Sequence, residues 1–383
     1  MARLAILAKP VTKAIPFMRV LHIITGLGQG GAEAALYRLL DEHRRMGIDS
    51  HVISFLSGGF YAPLIREIGV PVEELGGFRP LRALRSVNRI DPDILQLWTY
   101  YPLSLTPAVR RRRIVWAIRC SLQSLPTEKL HQKAAIMGSA LIARQPDVIV
   151  YNSEQGRADH EVRLRYPGGT GMVIPNGFNA NHFAPDVARR QSIREELGIS
   201  QSTVVIGNLA RFHKVKNHEM LLRAGRILAK KGFDFRLALG GSGIELANPA
   251  FESLVRKHEV KDRCIALGAI RDTPRFFDLC DIYVNCSTGE GFPNVVGEAM
   301  AMSLPVIGTD VGDTRSLIGD AGSVVPSDDA NALVRELTVL LQSSAEARAT
   351  IGRGARARIE CAFTSDVVGK RYARLYRDLH ASE

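Results

Sequence analysis

Glu290 and Glu298 stand eight residues apart around Gly291-Phe292-Pro293-Asn294, between an apolar run at 282–286 and a stretch with helical patterning. That layout predicts Glu290 in a loop at the carboxyl end of a strand. It predicts Glu298 inside a helix opened by Pro293, because proline suits the first helical turn. The helix-start amides of Asn294, Val295 and Val296 would then point into the crevice where open parallel sheets bind ligands. Upstream, Arg211 and Lys216 follow a second apolar run at 204–209. Departure of a diphosphate develops negative charge on oxygen, and preplaced cations stabilise that charge most in the transition state. Arginine forks onto two oxygens, whereas lysine acts as a point charge. Two hydroxyl-accepting carboxylates, a pair of cations and an amide cradle together point to a nucleotide-sugar site.

Other motifs fall into supporting or excluded roles. Gly26, Gly28 and Gly31 fit G-x-G-x-x-G after a strand and before a helix. A dinucleotide site also needs an acid at the end of the second strand, and the sequence there reads Phe55-Leu56-Ser57. A nicotinamide cofactor is therefore disfavoured. The loop glycines Gly28, Gly30 and Gly31 instead let backbone amides approach a sugar or phosphate. Asp91-Pro92-Asp93 is a literal D-x-D triplet, but it precedes the apolar run at 94–97 and so reads as a turn away from the ligand edge. The expectation is no metal and no cofactor, the positive charge coming from Arg211 and Lys216. His22 reads as core and His213 as exposed. Lys214 is a weaker candidate cation, and Asn217 reads as a helix cap.

These residues need elements to position them. Short β-branched runs at 20–24, 51–55, 94–98, 114–118 and 148–151 alternate with helical patterns at 32–45 and near 62–68. A second series follows at 204–208, 235–239, 264–267, 282–286, 305–309 and 323–325. Such alternation implies α/β architecture with two doubly wound parallel sheets. The expected division is a leader at 1–17, a first domain at 18–185, a second at 186–364, and a terminal helix at 365–383 that crosses back.

The ordered motifs resemble the family-four retaining glycosyltransferases, glycosyl transferases group 1, of bacterial surface-polysaccharide type. Glu290 to Glu298 resembles that family's E-x7-E motif, and Arg211 to Asn217 its Arg-x4-Lys-Asn diphosphate clamp. Asn152-Ser153, Ile174-Pro175-Asn176-Gly177 and the loop Gly28-Gln29-Gly30-Gly31-Ala32-Glu33 resemble further landmarks in the same order. The resemblance implies the GT-B fold, two Rossmann-like halves facing across a cleft. It implies that Glu298 accepts from ribose hydroxyls, that Glu290 holds hydroxyls of the donor sugar, and that the nucleobase lies by Gly268-Ala269-Ile270. Many members carry a histidine after the strand matching 115–118. This chain reads Trp116-Ala117-Ile118-Arg119-Cys120 there, which leaves Arg119 as a candidate contact for a phosphate or the acceptor.

Bulk properties bound the alternatives. A chain of 383 residues with 46% hydrophobic and 23% charged content suits a globular protein of two or more domains. No apolar run approaches the ~18 residues of a bilayer span, and residues 1–17 lack a sustained apolar stretch. Five cysteines lack metal-site spacing and read as reduced thiols of a cytoplasmic protein. The net charge of +11 is uneven: residues 1–185 hold 23 Lys/Arg against 14 Asp/Glu, and residues 186–383 hold 27 against 25. A basic first half fits an anionic partner, such as a polyprenyl-linked glycan acceptor or an anionic membrane surface at the inner face of the cytoplasmic membrane. The rivals are a sugar-nucleotide epimerase or glycogen-type synthase on the same fold, and a non-catalytic nucleotide- or nucleic-acid-binding protein. No aromatic-and-basic recognition module speaks for nucleic acid.

Overall fold

The computed structural model describes residues 18–122, 125 and 129–381. Residues 1–17, read above as a leader, lie outside the described residues. The first sheet contains β1 (Arg19–Ile24), β2 (Asp49–Ser54), β3 (Val72–Glu74), β4 (Ile94–Trp98), β5 (Arg113–Ile118), β6 (Val148–Tyr151) and β7 (Gly171–Val173). All seven are parallel, in the order β3-β2-β1-β4-β5-β6-β7. The second sheet contains β8 (Val205–Leu209), β9 (Arg236–Gly240), β10 (Cys264–Ala266), β11 (Ile282–Asn285), β12 (Val306–Thr309) and β13 (Ser323–Val325). It too is parallel, in the order β10-β9-β8-β11-β12-β13.

Burial explains why these strands read as continuous apolar runs. Every residue of β4 and of β11 is buried, since helices cover both faces of each sheet. Four apolar clusters result, one on each face of each sheet. β3 and β7 escaped the sequence reading because each has three residues and none of them is fully buried.

Chain order reverses between β1 and β4 in the first sheet and between β8 and β11 in the second. Loops leaving adjacent strands there diverge, opening a crevice beyond the carboxyl ends. Two stretches of chain pass between the lobes side by side. Phe178 N–H donates to Phe363 O at 2.8 Å, and Ser365 N–H donates to Phe178 O at 2.9 Å. The terminal helix Ser365–His380 then packs on the first sheet through Val368, Tyr372, Ala373 and Tyr376. Tyr376 donates a buried hydrogen bond to Gln96 Oε1 in β4.

Candidate active site

The second sheet's reversal point builds the site. After β8 the chain continues the ladder, Ala210 N–H donating to Gly240 O at 2.8 Å and Phe212 N–H to Ser242 O at 2.8 Å. This extended segment presents Arg211, which is exposed. It needs Gly241 opposite, at φ 136°, because a Cβ there would stand 2.1 Å from Ala210 O. A 3-10 turn, Lys214–Lys216, follows. Asn217 ends it in the left-handed region at φ 45°, and its side chain caps the helix His218–Lys230 by accepting from Met220 N–H at 3.3 Å.

The loop leaving β11 is tied to that turn. Thr288 N–H donates to Val215 O at 2.8 Å. Lys216 Nζ donates to Glu290 Oε1 at 2.6 Å, and Ser287 Oγ donates to the same oxygen at 2.6 Å. Both bonds fall on Oε1, so Oε2 keeps its lone pairs for another donor. A cavity of about 470 Å³ opens above these groups, lined by Arg211, Lys216 and Glu290 from the second lobe. Gly31, Arg119 and Asn176 line its other side. Asn294 bridges the lobes here, accepting from Asn176 Nδ2 at 2.7 Å. A side chain at Gly31 would come within 2.9 Å of Asn294 Nδ2.

A family model described as "Glycosyl transferases group 1" matches residues 202–343, and one described as "Glycosyltransferase Family 4" matches residues 29–182. The chain is a group 1 glycosyltransferase. EpsF of Bacillus subtilis is 24% identical over 319 residues, covering 76% of this chain and 79% of EpsF. The lipopolysaccharide core biosynthesis mannosyltransferase LpsB of Rhizobium meliloti is 24% identical over 363 residues, 88% of this chain and 95% of LpsB. Anabaena HepE in complex with UDP superposes with a TM-score of 0.81 at 21% identity, covering 94% of this chain and 100% of HepE, a likeness of fold. Both expectations hold: the family, and the GT-B arrangement of two Rossmann-like parallel-sheet lobes.

The glycosyltransferase disperses other residues that the sequence had grouped. Glu298 is largely buried in the helix Asn294–Ala301, but it faces the first lobe, 3.6 Å from Arg38 Nη1, and is not among the residues lining the cavity. Burial raises its carboxyl above the usual range while Arg38 pulls it down. A ribose would have to share or displace Arg38. Ile270 lines a separate cavity of about 380 Å³ with Leu197, Arg271 and Phe276. Of the three helix-start amides, two are satisfied internally: Asn294 N–H by Phe292 O at 3.0 Å and Val296 N–H by Pro293 O at 3.1 Å. The Val295 amide has no backbone acceptor among the described residues, so the expected three-amide cradle reduces to one. Gly28 faces open space, and Gly30 precedes the helix Gly31–Met46 beside Glu33. The first loop therefore reaches the cavity through Gly31 alone.

Arg119 is held by protein. Its guanidinium stacks 4.6 Å over Trp98, donates to Asn176 Oδ1 at 3.0 Å, and donates to the Tyr372 hydroxyl. Only Nε lacks a partner. His22 is buried and accepts from Trp98 Nε1, His213 is exposed, and Asp93 caps Arg19 N–H at the start of β4, as expected.

Three contributors were missed. Ser287 orients Glu290; Arg38 neutralises Glu298; and Asp313, from the loop after β12, accepts from the Glu154 and Gln155 amides at 2.8 and 3.1 Å. The Asp313 contact clasps one lobe to the start of the other lobe's helix Glu154–Arg163, where a carboxylate suits the helix dipole. Its own N–H donates to Gly291 O at 3.1 Å, joining the clasp to the Glu290 loop. Arg38 and Asp313 act on residues distant along the chain, which no spacing signals, whereas Ser287 stands three residues before Glu290 and was overlooked as an ordinary loop hydroxyl.

Proposed function

We propose that this glycosyltransferase moves a hexose-type sugar from a nucleoside-diphosphate donor to a hydroxyl of a bacterial surface-glycan acceptor, with retention and without a metal ion or other cofactor. The convergence of Arg211, Lys216 and Glu290 on one interlobe cavity carries this conclusion. The acceptor oxygen attacks the anomeric carbon from the face the diphosphate leaves. As the carbon–oxygen bond to phosphate breaks, the leaving oxygen takes the acceptor's proton. Arg211 and Lys216 stabilise the charge that develops there. Glu290 Oε2 accepts from a hydroxyl of the donor sugar, and Glu298 from the ribose once Arg38 gives way. Closure of the lobes about the Asp313 clasp excludes water and aligns the acceptor.

The acceptor we assign is a polyprenyl-linked glycan at the inner face of the cytoplasmic membrane, with no nucleic-acid partner. The basic first half and the role of LpsB in lipopolysaccharide synthesis support it. No helix among the described residues is long and apolar enough to cross a membrane. A thermal-shift panel of UDP, GDP, ADP, CDP and TDP tests the donor site, since a bound ligand raises stability with its concentration relative to Kd. One nucleotide should stabilise the wild type, and Arg211→Ala should abolish the shift. Product analysis with labelled nucleotide sugar then separates transfer from epimerisation, which needs no acceptor. Full transferase activity in Glu290→Ala would dismiss the site.

A further inference from the structure

Among the described residues, Arg119 is the only cation that the first lobe gives to the 470 Å³ cavity. It follows the buried strand β5, whose Ala117 lies opposite Trp98 in the ladder with β4. That register brings the indole 4.6 Å beneath the guanidinium, where cation–π attraction holds its plane. Asn176 accepts from Nη1 at 3.0 Å, and the Tyr372 hydroxyl accepts from Nη2. Each terminal nitrogen therefore keeps a second hydrogen for another acceptor.

All three partners are neutral. No carboxylate among the described residues pairs with Arg119, whereas Arg38, also between the lobes, has Glu298. A half-buried guanidinium without a counter-charge is unfavourable until an anion completes it. The charges opposite show which anion is short of a partner. Lys216 is held by Glu290 at 2.6 Å, so that pair is neutral and Arg211 alone remains in excess. A diphosphate joining nucleoside to sugar is charged on both phosphoryl groups, more than Arg211 balances. Arg119 makes up the difference from the facing wall.

The helix Ser365–His380 fixes where this cation stands. Tyr372 is buried in the core of the first lobe, its ring 5.8 Å from the Arg119 guanidinium carbon in addition to the hydroxyl contact. On the other side Asn176 donates to Asn294 Oδ1 at 2.7 Å, next to the Glu290 loop. Arg119 is thus anchored by β4, by the helix returning from the second lobe and, through Asn176, by the second lobe itself. A charge fixed before the reaction needs no reorganisation as the leaving group charges.

We propose that Arg119 is the first lobe's contact to the departing diphosphate, and that Tyr372 is the positioning residue that holds it there. This rests on the transferase reading above and deepens it. The Trp98 stack sets the plane of the guanidinium, and the Tyr372 hydroxyl sets its rotation within that plane. A carboxylate on the donor sugar would present the same paired oxygens, so the test separates the two sources.

Calorimetry with inorganic pyrophosphate on the full chain needs no knowledge of base or sugar. Arg119→Met should weaken pyrophosphate about tenfold, and Tyr372→Phe, which removes the hydroxyl alone, about threefold. Arg119→Lys should recover only part of the loss, since lysine keeps the charge without the fork or the stack. Added to Arg119→Met, Tyr372→Phe should cost no further affinity, because the tyrosine acts only through the arginine. A Tyr372→Phe variant with a lower melting temperature and wild-type pyrophosphate affinity overturns the positioning role. Equal affinity of wild type and Arg119→Met overturns the diphosphate contact. So does a variant that keeps pyrophosphate but loses glucuronic acid 1-phosphate relative to glucose 1-phosphate, which would assign Arg119 to a sugar carboxylate. Arg211→Ala checks the underlying reading. Loss of pyrophosphate in Arg211→Ala but not in Arg119→Met defeats this inference alone. The reverse pattern removes the clamp and leaves Arg119 standing, and a wild type that binds no pyrophosphate defeats both.

Discussion

Lys216 and Glu290 already hold each other at 2.6 Å, so under the proposed mechanism an arriving diphosphate would compete with a carboxylate for the lysine. The two side chains are 23% and 13% exposed, which places the pair between a surface ion pair and a buried one. Coulomb's law at an effective dielectric of 20 gives about 6 kcal/mol for such a contact before desolvation. Desolvation and side-chain ordering cancel most of that, leaving roughly 1 kcal/mol net. Glu290→Gln therefore frees Lys216 and should tighten UDP binding about fivefold in calorimetry. Turnover should fall in the same variant, because the sugar hydroxyl loses an ionised acceptor. Lys216→Met has the opposite pattern. It loses about 3 kcal/mol of transition-state stabilisation, roughly a hundredfold in kcat/KM, and weakens UDP. A double-mutant cycle on UDP affinity isolates the coupling. Weaker UDP binding in Glu290→Gln, with turnover unchanged, would refute the competition and the role of Glu290 together.

Asp313→Ala removes two charge-assisted bonds between the lobes and should raise KM for both substrates about tenfold, with a larger radius of gyration by X-ray scattering in the presence of UDP. Gly297→Ala places a Cβ 2.1 Å from the buried Phe178 ring and should destabilise by about 1–3 kcal/mol, read as a lower unfolding midpoint in urea. Burial holds the His43 imidazole down to about 3 from an ordinary 6.5. The folded lobe keeps it neutral while the unfolded chain takes a proton below pH 6.5, so stability falls as pH drops through that window. Between pH 6.5 and 5 His43 accounts for about 2 kcal/mol, and His43→Gln should flatten that part of the urea-midpoint profile.

What could be read in advance divides along physical lines. Buried parallel strands announce themselves as β-branched runs, so most of both sheets and the alternation of helices were legible. Glu298 was legible as buried from its apolar neighbours, but its partner was not. Arg38 sits on a different lobe, and only the packing of helix Gly31–Met46 against helix Asn294–Ala301 brings the charges together. The helix-start amides failed as a cradle for a local reason: Phe292 and Pro293 turn their carbonyls back onto the first turn. The expected nucleobase contact at Ile270 sits in another cavity because the strand preceding it, β10, is the outermost of its sheet and not beside the reversal point. Strand order is a tertiary fact, and one-dimensional spacing does not contain it.

The helix Ser365–His380 closes the hydrophobic face of a sheet whose strands are all made before residue 174. During synthesis that sheet must wait, with Tyr372 and Tyr376 still inside the ribosome, until the entire second lobe has been translated. A nascent first half would meet chaperones with an uncovered apolar face. Expressing residues 18–185 by themselves would freeze the molecule in that unfinished condition.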